Sequence, residues 1–313
     1  MARIALTGGS GFVGRRTLEA LLDAGHHVNA LVRHPTKLPT RTGLSTIVGT
    51  LDQADALERL VSGTDAVIHI AGATAGRNYL DLARTNAAGT ARLIDAITSH
   101  QPHARLIHLS SLAARHPGLS DYAASKRAGE ELVSHSGLDW VIVRPPAVYG
   151  PDDPSLAPVW RLLARGWLLR TGPANARFSL LHVADLAAAL CKLATCNNSQ
   201  DNSTSRQTIT LHDGRTNGYS WDEVASIASN KRGGRVRIVP VPAAILHLLG
   251  AINLLKARLL KSRPPPLVPG KVRELVHRDW VCDNTRLPGC PEWKPSMKLE
   301  TALDDLPGWR SPS

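Results

Sequence analysis

The sequence predicts an α/β fold, a doubly wound parallel sheet followed by a smaller C-terminal unit. Three observations predict it. Short β-branched or apolar runs alternate with helical patterns through the first half of the chain. A glycine-rich loop joins the first run to the first helical stretch. After Gly150 the rhythm breaks, and Pro151, Pro154 and Pro158 lead into a differently patterned remainder.

The expected strands are Arg3–Thr7, His27–Arg33, Ser45–Gly49, Ala66–Ala71, Arg105–Ser110 and Asp139–Arg144. Helical patterns lie between them at Phe12–Ala24, Ala54–Val61, Asn78–His100 and Tyr122–Ser136. Such an alternation closes right-handed crossovers, so the sheet is parallel and covered on both faces. Ligands of these sheets sit beyond the carboxyl ends of the strands. Further on come a helical run at Val159–Arg165, a polar loop at Cys196–Arg206, a strand at Gln207–Leu211 and a helix at Trp221–Asn230. The expected units are 1–150 with 177–215, and 151–176 with 216–313.

At 313 residues and 43% hydrophobic, the chain can bury a sizeable core and is not mainly disordered. Lys and Arg total 37 against 26 Asp and Glu, a formal charge of +11 that favours anionic partners. The basic residues are dispersed and the few aromatics form no stacking platform, which excludes a nucleic-acid reader. No signal-peptide pattern opens the chain and no run of 18 apolar residues spans a membrane, so the expected location is cytoplasmic. Cys191, Cys196, Cys282 and Cys290 include no C-x-x-C pair and read as ordinary thiols of a reducing compartment. The 13 histidines form no H-E-x-x-H cluster, so no metal is expected.

The loop Thr7-Gly8-Gly9-Ser10-Gly11-Phe12-Val13-Gly14 follows the first strand and opens the first helix. Gly8 permits the tight turn, Gly11 lets backbone approach a pyrophosphate, and Gly14 lets helix pack on strand: the Rossmann arrangement. The phosphates then lie at a helix N-terminus, where free N–H groups favour anions. The second strand ends Ala30-Leu31-Val32-Arg33-His34-Pro35, then Lys37, with no acid before Asp52. Arg33 is expected to fork onto a 2′-phosphate with Lys37 as a second positive charge. NADP(H) is therefore the expected cofactor, NAD(H) the alternative.

Tyr122-Ala123-Ala124-Ser125-Lys126 sets a phenol and an ammonium one helical turn apart. A nearby cation lowers a tyrosine's pKa toward neutral, and Lys126 is placed to do so. Ser111 ends the fifth strand at the ligand edge and can polarise a carbonyl oxygen. No G-x-S-x-G elbow surrounds Ser110 and Ser111, which argues against a hydrolase.

With these residues the chain resembles the extended short-chain dehydrogenase/reductases, the NAD-dependent epimerase/dehydratase family. Further motifs carry the resemblance: Ala71-Gly72-Ala73, Asn86-Ala87-Ala88-Gly89-Thr90, Arg144-Pro145-Pro146-Ala147-Val148-Tyr149-Gly150-Pro151 and His182-Val183-Ala184-Asp185. The resemblance implies Ser111, Tyr122 and Lys126 as catalytic residues. It implies Leu51, Ala71, Gly72, Ala73, Asn86, Pro145, Pro146, Ala147 and Val148 as cofactor contacts beside the glycine loop. Two departures stand out. The family's G-D-L is Gly49-Thr50-Leu51 here, and only Leu112 to Asp121 separate the serine from the tyrosine. The short interval disfavours a nucleotide-sugar epimerase or dehydratase with tightly bound NAD(P). The intact Ser111, Tyr122 and Lys126 disfavour a catalytically silent dinucleotide-binding subunit. The expected function is an NADP-dependent oxidoreductase on a small-molecule carbonyl or alcohol, with a hydrophobic 3-oxo lipid or sterol-like ketone as the substrate class.

Ile245, Leu248, Leu249, Ile252, Leu255 and Leu259 form one helical stripe, widened by Leu246, Leu254 and Leu260. The preferred reading is a core or homodimer helix. The other is a peripheral helix on the inner face of an anionic membrane, with Lys256, Arg258, Lys261 and Arg263 as its basic edge.

Overall fold

The computed structural model describes residues 1–34, 38–196, 205–260, 262, 267–285, 287, 290 and 293–309. In chain order the first unit runs β1 (Arg3–Thr7), α1 (Phe12–Asp23), β2 (His27–Val32), β3 (Leu44–Val48), α2 (Ala54–Val61) and β4 (Ala66–His69). It continues with α3 (Tyr79–Ala83), α4 (Thr90–His100), β5 (Arg105–Leu109), α5 (Asp121–Ser134) and β6 (Trp140–Arg144). Next come β7 (Ala147–Tyr149), α6 (Ala157–Ala164), β8 (Trp167–Arg170), β9 (Arg177–Phe178), β10 (Leu180–His182), α7 (Val183–Thr195) and β11 (Gln207–Thr210). The chain closes with β12 (Tyr219–Ser220), α8 (Trp221–Arg232), β13 (Arg237–Pro240), α9 (Ala243–Leu259), α10 (Pro269–Val276), β14 (Asp279–Trp280) and α11 (Leu299–Ala302).

Seven strands form one sheet in the order β3-β2-β1-β4-β5-β6-β11, every pair parallel. Its inner strands β1, β4, β5 and β6 are buried on both faces, which is why they read as unbroken apolar runs rather than alternations. Ile4, Leu6 and Ile68 face one core with Leu18 and Leu21 of α1 and Leu186 and Leu190 of α7. Ala5, Val67 and Leu106 face the other with Leu57 of α2, Leu93 and Ile97 of α4 and Val133 of α5. The winding reverses between β1 and β4, and ligands of such sheets bind in the crevice there.

The smaller strands pair as β7 with β10, β8 with β13, and β9 with β12 and β14. Around them Tyr149, Trp160, Leu168, Tyr219, Val224 and Leu303 make a third core. Thr285 N–H donates to Thr210 O at 2.9 Å, so the C-terminal segment returns to the edge of the large sheet.

Three sequence expectations are corrected. The single helix over 78–100 is interrupted by a π-helical segment, Arg84–Gly89, where a Cβ on Gly89 would come within 2.8 Å of Leu51. The aliphatic stripe is not core: α9 buries only Leu246, Gly250 and Ala257, while Leu248 is 62% exposed, Leu255 57% and Leu259 73%. Cys196 and Cys290 form a disulfide across 94 residues of sequence, leaving Cys191 and Cys282 as thiols. Sequence spacing cannot reveal a pair brought together only by the fold.

Candidate active site

The glycine loop sits at the reversal of the sheet. Gly8 takes φ +76°, and a Cβ on it would lie 2.6 Å from Ala71 N. A Cβ on Gly14 would lie 2.0 Å from Gly8 O, so only glycine lets α1 approach its own loop. Gly11 is the N-cap of α1 and supplies no side-chain cap, and the first turn carries no acid. The first-turn N–H groups of α1 therefore have no side-chain cap, an arrangement that fits a pyrophosphate. Thr7 accompanies the loop: its Oγ1 accepts from Ala71 N at 3.1 Å and meets His69 Nδ1 at 2.7 Å. Phe12 and Val13 follow as the first residues of the helix, half-buried.

His69 continues to Thr90 Oγ1 at 3.0 Å, and burial pushes it down to about 3, so it is a neutral linker between strand and helix. Among the described residues no cluster suits a metal.

Arg33 follows β2, is exposed, and meets no carboxylate among the described residues. Lys37 lies outside the described residues. Leu51 packs on the second core. Beside it Asp52 is bound by Arg84 and Arg92, each at 2.8 Å, so the acid nearest the departed G-D-L position is spent on protein arginines. Asn86, in the π-helical segment, binds both Ala73 backbone groups and Ser125 Oγ, at 2.7 to 2.9 Å, tying the Ala71-Gly72-Ala73 loop to α5. Beyond β6, Pro145 and Pro146 are buried, Val148 is half-buried and Ala147 exposed.

Ser111, Tyr122 and Lys126 converge at the ends of β5 and α5. Tyr122 is half-buried with the Ser111 hydroxyl beside it. Burial pushes the phenol up to about 12; Ser111 acts downward and the Glu274 carboxylate upward. Lys126 is buried, its Nζ donates to Leu109 O at 2.7 Å, and desolvation brings it down to about 8. The expectation that Lys126 lowers the phenol is therefore corrected for this arrangement: its charge is held on a backbone carbonyl.

The two serines of the pair divide their tasks. Ser110 is buried and donates to Glu130 Oε1 at 2.5 Å, and Arg144 grips the same carboxylate at 2.8 and 2.5 Å. Ser111 caps the short turn that follows, accepting from Ala113 N at 3.2 Å, and is half-buried beside Tyr122.

Sequence reasoning missed the residues that cover this site. The interval Leu112–Asp121 folds as two 3-10 turns and is clasped from the C-terminal region. Arg115 donates to Asp279 O and Val281 O, His116 stacks at 4.8 Å on His277, and Arg273 donates to Leu119 O at 2.6 Å. Glu274 binds Ser120, the N-cap of α5. Their one sequence signal is the Pro269-Gly270 helix start, hidden behind the proline run at 264–266.

Fold and loop define a dinucleotide-binding protein. A family model described as NAD(P)H-binding matches residues 8–190, more than half of the chain. The chain belongs to this NAD(P)H-binding family, and its fold is that of the epimerase/dehydratase proteins. A ceramide reductase of Caulobacter vibrioides is 36% identical over 280 residues, 89% of this chain and 85% of that protein. A 4-hydroxy-2-methyl-3-oxo-4-farnesyl-3,4-dihydroquinoline-1-oxide ketoreductase of Stigmatella aurantiaca is 30% identical over 178 residues, 50% of this chain and 53% of that one. Among solved structures, MoeE5 in complex with UDP-glucose and NAD superposes with a TM-score of 0.71 at 21% identity, covering 99% of this chain and 98% of its own.

Proposed function

We propose that the protein is an NADP-dependent carbonyl reductase whose substrate is a lipid ketone carrying a 3-oxo group. The observation that carries the reading is the grouping of Ser111, Tyr122 and Lys126 at the strand ends beside the glycine loop. When bound, the reduced nicotinamide supplies a hydride to the carbonyl carbon. Tyr122 gives its phenolic proton to the carbonyl oxygen, and Ser111 donates a hydrogen bond to that oxygen. Lys126, its ammonium on Leu109 O, holds the nicotinamide ribose. Thr7, Gly8, Gly11, Phe12, Val13 and Gly14 hold the pyrophosphate; Leu51 and Ala71–Ala73 line the adenine side; Asn86 and Pro145–Val148 line the nicotinamide side. The region 151–176 with 216–313 serves as the substrate-binding domain.

Preference for NADPH rests on Arg33, which meets no carboxylate among the described residues and follows β2, where an acid would select NAD. Calorimetric titration of Arg33→Asp is expected to weaken NADPH by about 1.5–3 kcal/mol, roughly ten- to a hundredfold, with NADH little changed. Equal affinity of the parent for both cofactors would remove the assignment.

The lipid half rests on α9 and on the reductases named above. Its exposed aliphatic side chains lie on a helix packed against α10, where a Cβ on Gly250 would lie 3.2 Å from Pro269 N, and α10 in turn reaches the N-cap of the Tyr122 helix. Lys256 and Arg258 are exposed near its C-terminal end. An apolar face with a basic end suits an anionic bilayer, at about 1 kcal/mol per basic residue near the surface. No helix among the described residues is long and apolar enough to cross a membrane. Co-sedimentation with phosphatidylglycerol vesicles is expected to pellet the parent at low salt and to leave Leu248→Glu/Leu255→Glu in solution. Equal sedimentation of the two, or none by the parent, would exclude α9 as the membrane element.

A further inference from the structure

We propose that Glu274 is a positioning residue for Tyr122, reaching from the C-terminal unit to hold the first turn of the catalytic helix and to set a negative charge against the phenol. The proposal deepens the reductase reading and rests on it. Glu274 is 6% exposed on α10, and both of its carboxylate oxygens are engaged. Oε1 accepts from the Ser120 hydroxyl and Oε2 from Lys271 Nζ at 2.9 Å, so the carboxylate is tied to α5 on one side and to its own helix on the other. Ser120 in turn accepts from Ala123 N at 2.9 Å as the N-cap of α5, two residues before Tyr122. The contact has little room to shift. A Cβ on Gly270 would lie 2.9 Å from Ser120 Cβ, and Trp280 Nε1 donates to the Glu274 carbonyl at 2.9 Å.

The consequence is the protonation state of the phenol. Carbonyl reduction needs the phenol protonated, whereas alcohol oxidation needs it ionised. The Glu274 carboxylate, buried on the cap of the Tyr122 helix, disfavours the phenolate and so keeps Tyr122 protonated. The other charged or titratable groups around this contact are Lys271 and Arg273 on α10, His277 and Asp279 after it, Arg115 and His116 on the 3-10 turns, and Asp121 and Lys126 on α5.

The test is the pH profile of NADPH-dependent reduction of a 3-oxo lipid by the full chain, with carbon-13 NMR of the tyrosine ring carbons read in parallel. Tyr122→Phe assigns the Tyr122 signal. Glu274→Gln keeps an acceptor for Ser120 and removes the charge. Its alkaline limb of kcat/KM, and the onset of the Tyr122 titration, are expected to move down by about 0.5–1 pH unit, with KM for NADPH unchanged. Lys271→Gln, at a half-exposed position, leaves the carboxylate uncompensated and is expected to show no downward move. A Glu274→Gln profile and titration that coincide with the parent's would overturn the positioning role. Absence of turnover in the parent, with the NMR shift present, would instead overturn the reductase reading alone.

Discussion

Tyr122→Phe is expected to lower turnover at least ~10²-fold while leaving NADPH affinity close to the parent's. The phenol is half-buried with the Ser111 hydroxyl beside it, and its pKa near 12 leaves it almost wholly protonated at neutral pH. It is therefore loaded to donate, and removing the hydroxyl removes the proton while preserving the ring. Lys126→Ala is expected to impair binding as well as turnover, because its buried ammonium sits on Leu109 O beside Gly72, on the cofactor side. Steady-state kinetics with separate cofactor titrations distinguish the two. Near-parental activity in Tyr122→Phe would require another proton donor and end the assignment.

Glu130→Ala is expected to destabilise the fold by about 3 kcal/mol. Glu130 is 3% exposed and gathers Ser110 and both arms of Arg144, joining the end of β5, helix α5 and the end of β6 behind the site. Its loss strands a largely buried guanidinium, which costs more than the hydrogen bonds themselves. It also withdraws the carboxylate that supports the charge on Lys126, so cofactor affinity is expected to fall with stability. Ser110→Ala, which removes one donor, should cost only about 1 kcal/mol. Urea denaturation reads both, as a lower midpoint at unchanged slope. A Glu130→Ala midpoint equal to that of Ser110→Ala would contradict the account of this network.

The large sheet is legible in the sequence because its inner strands are buried on both faces and its turns are marked by glycine. Six of the seven strands in the first 150 residues, all but Ala147–Tyr149, fall within a residue or two of where the apolar runs place them. The smaller strands, such as Arg177–Phe178 and Asp279–Trp280, are two to four residues long and show no period. Helix Val183–Thr195 is mostly apolar, interrupted by Asp185 and Lys192, and its pattern offers little face to count. The aliphatic helix misleads in the opposite sense. A stripe at helical spacing reads as core, yet here Leu246, Gly250 and Ala257 face inward and Leu248, Leu255 and Leu259 outward. Ser111, Tyr122, Lys126 and the glycine loop are contiguous motifs on one rigid scaffold. Glu274 lies some 150 residues from Ser120, and only the fold brings them together.

Hydride transfer to a lipid ketone is the central claim, and isotopic labelling reads it most directly. NADPH deuterated at the transferable C4 position is supplied with a long-chain 3-oxo amide in anionic vesicles, and the product is analysed by mass spectrometry. The account predicts deuterium on the new carbinol carbon, absent from products formed with Tyr122→Phe. An unlabelled product, or turnover of a nucleotide sugar with no net cofactor consumed, would contradict it.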